Sequence, residues 1–494
     1  RRPGQPTRRP RRRRRSPLSY LPLPFVGVAA ALVVFVAVGT VLLPQDRNQL
    51  TGLSATNVAV TAARVVCPAS GGTHVAAMAP GSGKGSATLR PLDSTSGATL
   101  GALGSAPSRG AASVNGSVGA TAMDAEGPMA PGFEVEQYAR SDSGGARGIQ
   151  DVRCVTPAAQ WWFAGAATTI GNDSRLYLNN LDNTTATVDV LAYGDGGAVD
   201  PEAGSGVTVD PGKQAVVKLG DIAPEMKVSA VHVVARTGRI AAALHTQVRS
   251  GSTSYGAAWI PPTQPRSGDT VIPAVPSGSG PRKLVLFVPG DQDTTASVRL
   301  STPDGSFAPA GHDQVDVPAQ QAVAIDLGNV MAKSATAVQV NAPVPVVAAL
   351  VASEGGSGED GSMAFSTGTP SLDSPAGVPM VPTGSKTQAT LQLTSPQRDA
   401  QVQVRTVART TVGRPSTVKI PAGRTVAVKL SPPGGAPDYG VLVTPQQGAD
   451  VYGSRVIVGS PKGGPVIGVY PLEPGVREVA LPPVVPEMGA GIPR

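Results

Sequence analysis

Three stretches of the chain, each about 105 residues long, carry the same parts in the same order, and this repeat constrains the fold more than any other feature. The first holds Leu176-Tyr177-Leu178, Ala186-Thr187-Val188-Asp189-Val190, Val209-Asp210-Pro211-Gly212, Ala215 to Leu219 and Ala230-Val231-His232-Val233. The second holds Leu284-Val285-Leu286, Ala296-Ser297-Val298-Arg299-Leu300, Asp316-Val317-Pro318-Ala319, Ala322 to Leu327 and Ala337-Val338-Gln339-Val340. The third holds Leu391-Gln392-Leu393, Ala400 to Val404, Ile420-Pro421-Ala422-Gly423, Thr425 to Leu430 and Gly440-Val441-Leu442-Val443. The anchoring prolines Pro211, Pro318 and Pro421 are 107 and 103 residues apart.

Inside each unit the period is two. Val188 and Val190 flank Asp189, Val298 and Leu300 flank Arg299, and Val402 and Val404 flank Gln403. That alternation puts one face in a core and the other in water, as antiparallel strands do. The Pro-Gly and Pro-Ala anchors read as hairpin turns. With 60 Gly and 48 Pro in 494 residues, the composition argues against a body built of long helices. Each unit holds about six or seven short strands, which predicts a two-sheet sandwich of about 100 residues. A propeller blade needs only about 45 residues, so one blade per repeat leaves half of it unused. The expected fold class is all-β, with tandem sandwich repeats behind a single N-terminal membrane helix.

The first unit is the most specific. Trp161-Trp162-Phe163-Ala164-Gly165, Leu176-Tyr177-Leu178-Asn179-Asn180, Ala186-Thr187-Val188 and Val209-Asp210-Pro211-Gly212 resemble an immunoglobulin-like repeat of secreted bacterial proteins. The whole layout resembles an uncharacterised family of actinobacterial membrane-anchored proteins, a domain of unknown function. Its matching parts are the Arg-rich tail, the single anchor, Val65-Val66-Cys67-Pro68, Cys154 and the Trp161-Trp162 unit. The resemblance covers most of Val58 to Gly459 and is strongest between Cys154 and Leu244. The later units lack the Trp and Asn pairs and read as diverged copies. The family implies a location and a fold, and no activity.

Charge is concentrated at the N-terminus. The formal charge of +7 comes from 41 Lys+Arg against 34 Asp+Glu, yet Arg1, Arg2, Arg8, Arg9 and Arg11 to Arg15 all precede residue 16. The remaining chain is slightly acidic, which is not the footprint of a nucleic-acid-binding body. Behind the Arg cluster, Pro24 to Leu43 is an apolar run long enough to span a bilayer as a helix. The positive-inside rule holds the tail in the cytoplasm and places everything after Asp46 outside. A cleaved signal peptide is the rival reading. Ala37-Val38-Gly39 offers a small-x-small site, but the apolar run exceeds the usual length. Cys67 and Cys154 are the only cysteines, and an exported chain pairs them as a disulfide.

The expected layout is therefore a basic cytoplasmic tail (1–20), a transmembrane helix (21–44), a stalk (45–54) and a Gly/Ser/Ala-rich β region (55–153). Three sandwich repeats (154–262, 263–370 and 371–475) and a Pro-rich tail (476–494) follow. Thr61 to Cys67, His74 to Met78, Thr88 to Leu92 and Phe133 to Tyr138 are candidate strands of the β region, which Cys67–Cys154 ties to the first sandwich. Gly251 to Pro281 and Glu354 to Lys386 read as joints between units, and a last strand is expected near Arg477 to Leu481.

Catalytic chemistry is sparse. Gly81-Ser82-Gly83-Lys84-Gly85 lacks the spacing of a phosphate loop and reads as a flexible loop. Ser416-Thr417-Val418-Lys419 has Ser-x-x-Lys spacing but lies on an alternating strand, not a helix start. His232 and His245 read as structural histidines without a carboxylate partner. Asp291-Gln292-Asp293 and Asp195 with Asp200 offer fewer oxygens than calcium needs. No catalytic residue, metal or cofactor is expected. Trp161 and Trp162 are adjacent on a strand, so one ring enters the core; the other is expected to pack under a loop and stacks on a glycan only if exposed. The expected function is that of a non-enzymatic, membrane-anchored envelope protein, a rod of sandwiches with a structural or interaction role. The alternative is a cell-wall carbohydrate-binding protein using Trp161 and Trp162. The expected partners are the lipid bilayer through 21–44 and an envelope protein or glycan, with no nucleic acid and no small-molecule substrate.

Overall fold

The alternating runs become strands, and the strands form antiparallel sheets throughout. The computed structural model describes residues 56–481, apart from 69–71, 94–98, 100, 329–333, 356–359, 385, 447 and 449. The basic tail, the apolar segment 21–44, the stalk 45–54 and the chain beyond 481 lie outside the described residues. No helix among the described residues is long and apolar enough to cross a membrane.

Residues 160–260 make nine strands. Gln160–Ala166, Ala186–Gly194, Gly197–Ala198, Val207–Val209 and Ser229–Thr237 form a first sheet. Asn172–Asn179, Gln214–Lys218, Ala241–Ser250 and Thr253–Ile260 form a second. The two pack face to face around Trp161, Phe163, Leu176, Leu178, Val188, Val231 and Leu244. Residues 266–367 and 376–471 repeat this order strand for strand. In the middle unit the seventh and eighth strands run on as the single strand Thr336–Glu354, whose first half pairs in one sheet and second half in the other. The Leu-x-Leu elements all fall on second strands, and Pro211, Pro318 and Pro421 all turn the chain from the fifth strand to the sixth. The expected joints are themselves strand-forming: Thr253–Ile260, Arg266–Val275, Ser362–Thr367 and Ala376–Pro382 lie within them.

The preceding region forms one sheet in the order Ala62–Cys67, Thr121–Glu126, Thr73–Pro91, Glu134–Ser141, Gly148–Arg153, with Gly101–Val114 also paired to Thr73–Pro91. The Gly81 to Gly85 stretch lies within a 19-residue strand, which corrects its reading as a loop. The pairing register shifts on either side of Gly83-Lys84, so the strand bulges there. A Cβ at Gly81 would meet the Pro128 carbonyl oxygen at 2.4 Å, and one at Gly85 the Glu126 carbonyl oxygen at 2.7 Å. The glycines admit a crossing backbone, not a phosphate.

The body is a closed ring, not a rod. The N-terminal sheet packs on the second sheet of the first repeat through Val152, Ala243 and Trp259. That repeat's first sheet packs on the next unit through Trp162, Ala164 and Ala230 against Val285, Phe287 and Val347. The middle and last repeats join where Thr425 Oγ1 donates to the Ser301 carbonyl at 2.9 Å and Arg424 to that of Pro303 at 2.9 Å. The ring closes where Arg109 Nε donates to the Pro379 carbonyl at 2.8 Å and the Met380 amide to Glu136 at 3.1 Å. Seven sheets are thus stacked in sequence, each covered on both faces as propeller blades are. The count that argued against a propeller assumed one blade per repeat, whereas each repeat carries two sheets.

The final strand of each unit lies at the middle of this ring. Met363 and Phe365 enter the core of the first repeat, Ile467 and Val469 that of the second, and Ile149 that of the third. Arg147, 1% exposed, joins the hairpins there. It donates to the carbonyls of Asp360 (2.9 Å), Gly361 (2.8 Å), Gly463 (2.9 Å) and Gly464 (2.7 Å), while its own carbonyl accepts from the Ala257 amide at 2.9 Å. One residue so links all four units, the second and third repeats through its side chain and the first through its main chain. A guanidinium suits this position because its fixed fork of donors reaches several acceptors at once.

Candidate functional site

The tryptophan pair sits on Gln160–Ala166, where neighbouring side chains point to opposite faces. Trp161 enters the core of the first repeat, and its Nε1 donates to the Ile240 carbonyl at 2.7 Å. Trp162 emerges on the other face and meets the second repeat. His232 stacks on it with centroids 3.8 Å apart and planes 6° from parallel, and Phe287 lies at 5.6 Å. Trp161 is 9% and Trp162 5% exposed, so neither ring is open to a sugar. The second ring is packed, as expected, but the second repeat covers it and not a loop, because ring closure covers the face that a lone sandwich leaves in water.

Both histidines are neutral packing groups. Burial lowers His232 to about 4, and its Nε2 lies 3.2 Å from Gln160 Oε1. Burial likewise lowers His245 to about 4, with Nε2 2.8 Å from Gln150 Oε1 and its ring edge-on to Trp259 at 4.8 Å.

Cys67 and Cys154 are joined as a disulfide with their Cα atoms 4.4 Å apart. Both belong to the core of the N-terminal sheet, alongside Val65, Val75, Leu89 and Met123. The bridge therefore closes that sheet upon itself and does not tie it to the first repeat. The acidic loops fix turns: Asp293 accepts from the Ala319 amide at 2.8 Å and Asp200 from that of Glu202 at 2.9 Å. Asp399 does the same for the Ala422 amide at 2.8 Å in the third repeat. Among the described residues, no group of three or more His, Cys, Asp or Glu is placed to hold a metal. Ser416 and Lys419 lie on the strand Ser416–Ile420, as expected.

A buried ionic cluster, not foreseen from the sequence, joins the N-terminal sheet to the third repeat. Arg455 donates to Glu136 at 2.6 Å and also bonds Asp151 and the Met380 carbonyl. Arg153 pairs with Glu134 and donates to the Pro471 carbonyl at 2.9 Å. Both guanidinium carbons lie over the Tyr470 ring, each 5.1 Å from its centroid. Burial raises Glu134 and Glu136 to about 7 against the opposing pull of Arg153 and Arg455. For the arginines, burial disfavours the charge, but the carboxylates outweigh it and hold both above their ordinary value. Glu134 and Glu136 alternate with Val135, a pattern that reads as a solvent face. The signal that betrays them is the matching alternation of Asp151 and Arg153 on the next strand.

A cleft of about 490 Å³ lies between the first and second repeats. Its walls are Val228, Val248, Val285, Ala322, Ala324, Val351, Met363 and Phe365, with Lys227, Lys283 and Asp195 among its lining groups. It exists because the inter-repeat seam is filled unevenly. Trp162, Tyr193 and Phe287 fill one end, whereas Gly165, Ala167, Ala322 and Ala324 leave the other open. A Cβ at Gly165 would stand 3.0 Å from Val351 and 3.2 Å from Phe365, so any larger residue would narrow the cleft.

Residues 108–431 match the family described as "Family of unknown function (DUF5719)", and the chain belongs to that family. No curated protein matches. Among solved structures, an anti-sigma factor domain-containing protein from Clostridium clariflavum is similar at 10% identity over 79% of this chain and 99% of its own, with a TM-score of 0.12. At that score the likeness carries no argument about fold or function.

Proposed function

We propose that the chain is a non-enzymatic, membrane-anchored envelope protein whose β body acts outside the membrane in a structural or interaction role. The observation that carries this reading is the Cys67–Cys154 disulfide, a bond that persists in oxidising, extracytoplasmic compartments. The Arg-rich start followed by the apolar run 21–44 supports an anchor with its N-terminus in the cytoplasm. The repeated nine-strand order supports reading the three units as copies of one immunoglobulin-like two-sheet repeat. The ring gives such a protein a rigid body whose loops present binding surfaces, a role that fold alone does not narrow to one partner. The glycan reading loses its basis in Trp161 and Trp162, since both rings are buried.

Protease applied to intact cells tests the topology. Digestion of the body with protection of the Arg-rich tail supports the proposal, and the reverse pattern overturns it. Crosslinking in whole cells, followed by identification of neighbours, then names the partner.

A further inference from the structure

The cleft between the first two repeats pairs an aliphatic interior with a cationic rim. Val285, Ala322, Ala324, Val351 and Phe365 form apolar walls from strands of the second repeat, while Gly165 and Val228 close it from the first. Three titratable groups line it. Lys227 reaches only to 3.9 Å from Asp195, and Lys283 forms no ion pair among the described residues, so positive charge prevails. Beside the lining residues Thr169 and Asn172 stands Ile170, which is 99% exposed. Apolar walls, a bare isoleucine near the mouth and two lysines are features that a purely polar ligand does not need. The volume lies within the range of small-ligand sites, which bury apolar surface and fix orientation with a few polar groups.

We propose that this cleft binds a single-chain amphiphile with an anionic head, its aliphatic chain between the repeats and its head at Lys227 and Lys283. Both lysines are exposed at the rim, where their ammonium groups stay in water, a suitable arrangement for a carboxylate head. The walls of the second repeat stand on paired strands, so the site is preformed. The chemistry extends the envelope reading and rests on it only for the supply of ligand, since an extracytoplasmic body stands beside a lipid surface.

The test feeds cells expressing the full chain a long-chain fatty acid that carries a diazirine within the chain and a terminal alkyne. After irradiation, the labelled peptides of the purified protein are mapped. Labels on the strands Arg282–Phe287 and Ala322–Asp326 are expected. Ala324→Trp, which fills the cleft, should cut them roughly tenfold, the factor carried by 1.4 kcal/mol. The exposed pair Lys227→Glu with Lys283→Glu should weaken them as well, and the methyl ester of the probe should label less than the acid. Lys227 and Lys283 lie outside the packed cores, so the double variant remains a readable control if Ala324→Trp does not fold. Labelling confined to 21–44 overturns the cleft while leaving the anchor standing; labelled cleft strands on a chain released from the membrane do the opposite. Equal labelling by acid and ester, or a cleft crosslinked only to another protein, overturns the proposed ligand.

Discussion

The indole of Trp162 lies flat on the imidazole of His232, 3.8 Å between centroids, and the pair is sealed beneath Phe287 of the following repeat. The contact converts a surface ring into the filling of an inter-repeat seam. Trp162→Ala should therefore destabilise the body by about 3–5 kcal/mol, the range for emptying a large aromatic site. Denaturant unfolding measures it, and a loss below about 1 kcal/mol, the scale of a surface substitution, would mean that the ring is not held as described.

Removing the Arg147 side chain should loosen its own hairpin and those of the second and third repeats together. Its guanidinium serves carbonyls from the second and third repeats, so Arg147→Met leaves buried acceptors without donors. The expected cost is about 3 kcal/mol or more. Arg147→Lys should restore little of it, because one ammonium does not span both carbonyl pairs. Limited proteolysis near Asp360 and Gly463 reads the loosening directly; cutting at one hairpin alone would contradict a shared hub.

The ionic cluster makes stability depend on pH. Glu136 is raised from 4.5 to about 7 by burial, with Arg455 opposing. A carboxyl raised in the folded state holds its proton more tightly there than in the unfolded chain. Its contribution is therefore full below 4.5 and is lost as pH rises through 7. Glu136→Gln keeps the protonated shape at every pH. Relative to it, the native chain should lose stability across that window, by on the order of 3 kcal/mol. A difference that does not vary with pH would contradict the assignment.

His245 acts in the opposite sense. Burial lowers it from 6.5 to about 4, so the folded state disfavours the charged ring. Its contribution is present above 6.5 and is lost as pH falls through 4. Against His245→Gln, the native chain should weaken on acidification, and paired melts at neutral and mildly acidic pH show it. Equal slopes for the two chains would exclude the effect.

Reducing Cys67–Cys154 frees a loop of nearly ninety residues in the unfolded chain, worth about 4 kcal/mol in the loop-entropy account. Melting should drop on reduction, while thiol labelling of the denatured, unreduced protein finds no free cysteine. Two labelled thiols would remove the bridge.

The repeats were legible because Val188-Asp189-Val190 and its counterparts alternate cleanly and because proline marks the same turn three times. The ring was less so, although one signal lay in plain sight. Leu284-Val285-Leu286-Phe287 is apolar on both faces, and such a strand is buried on both. Val285 and Phe287 are the residues that cover Trp162. The strands Gly101–Val114 and Gly148–Arg153 escaped notice because Gly, Ala and Ser dominate the first and charges the second. Arg147 carried no local signal for its role, since the carbonyls of the second and third repeats that it serves lie more than two hundred residues away. The cleft was invisible because it depends on which side chains are small on two sheets that only the fold brings together.

Val60 donates its amide to the Arg477 carbonyl at 2.8 Å, so the two ends of the ring are fastened side by side. A pull applied between those two points is therefore borne by the join itself instead of passing through the units one after another. A string of beads would lengthen under such a pull. This body keeps its breadth until that join shears, and the rate of shearing, not the equilibrium stability, sets its mechanical endurance.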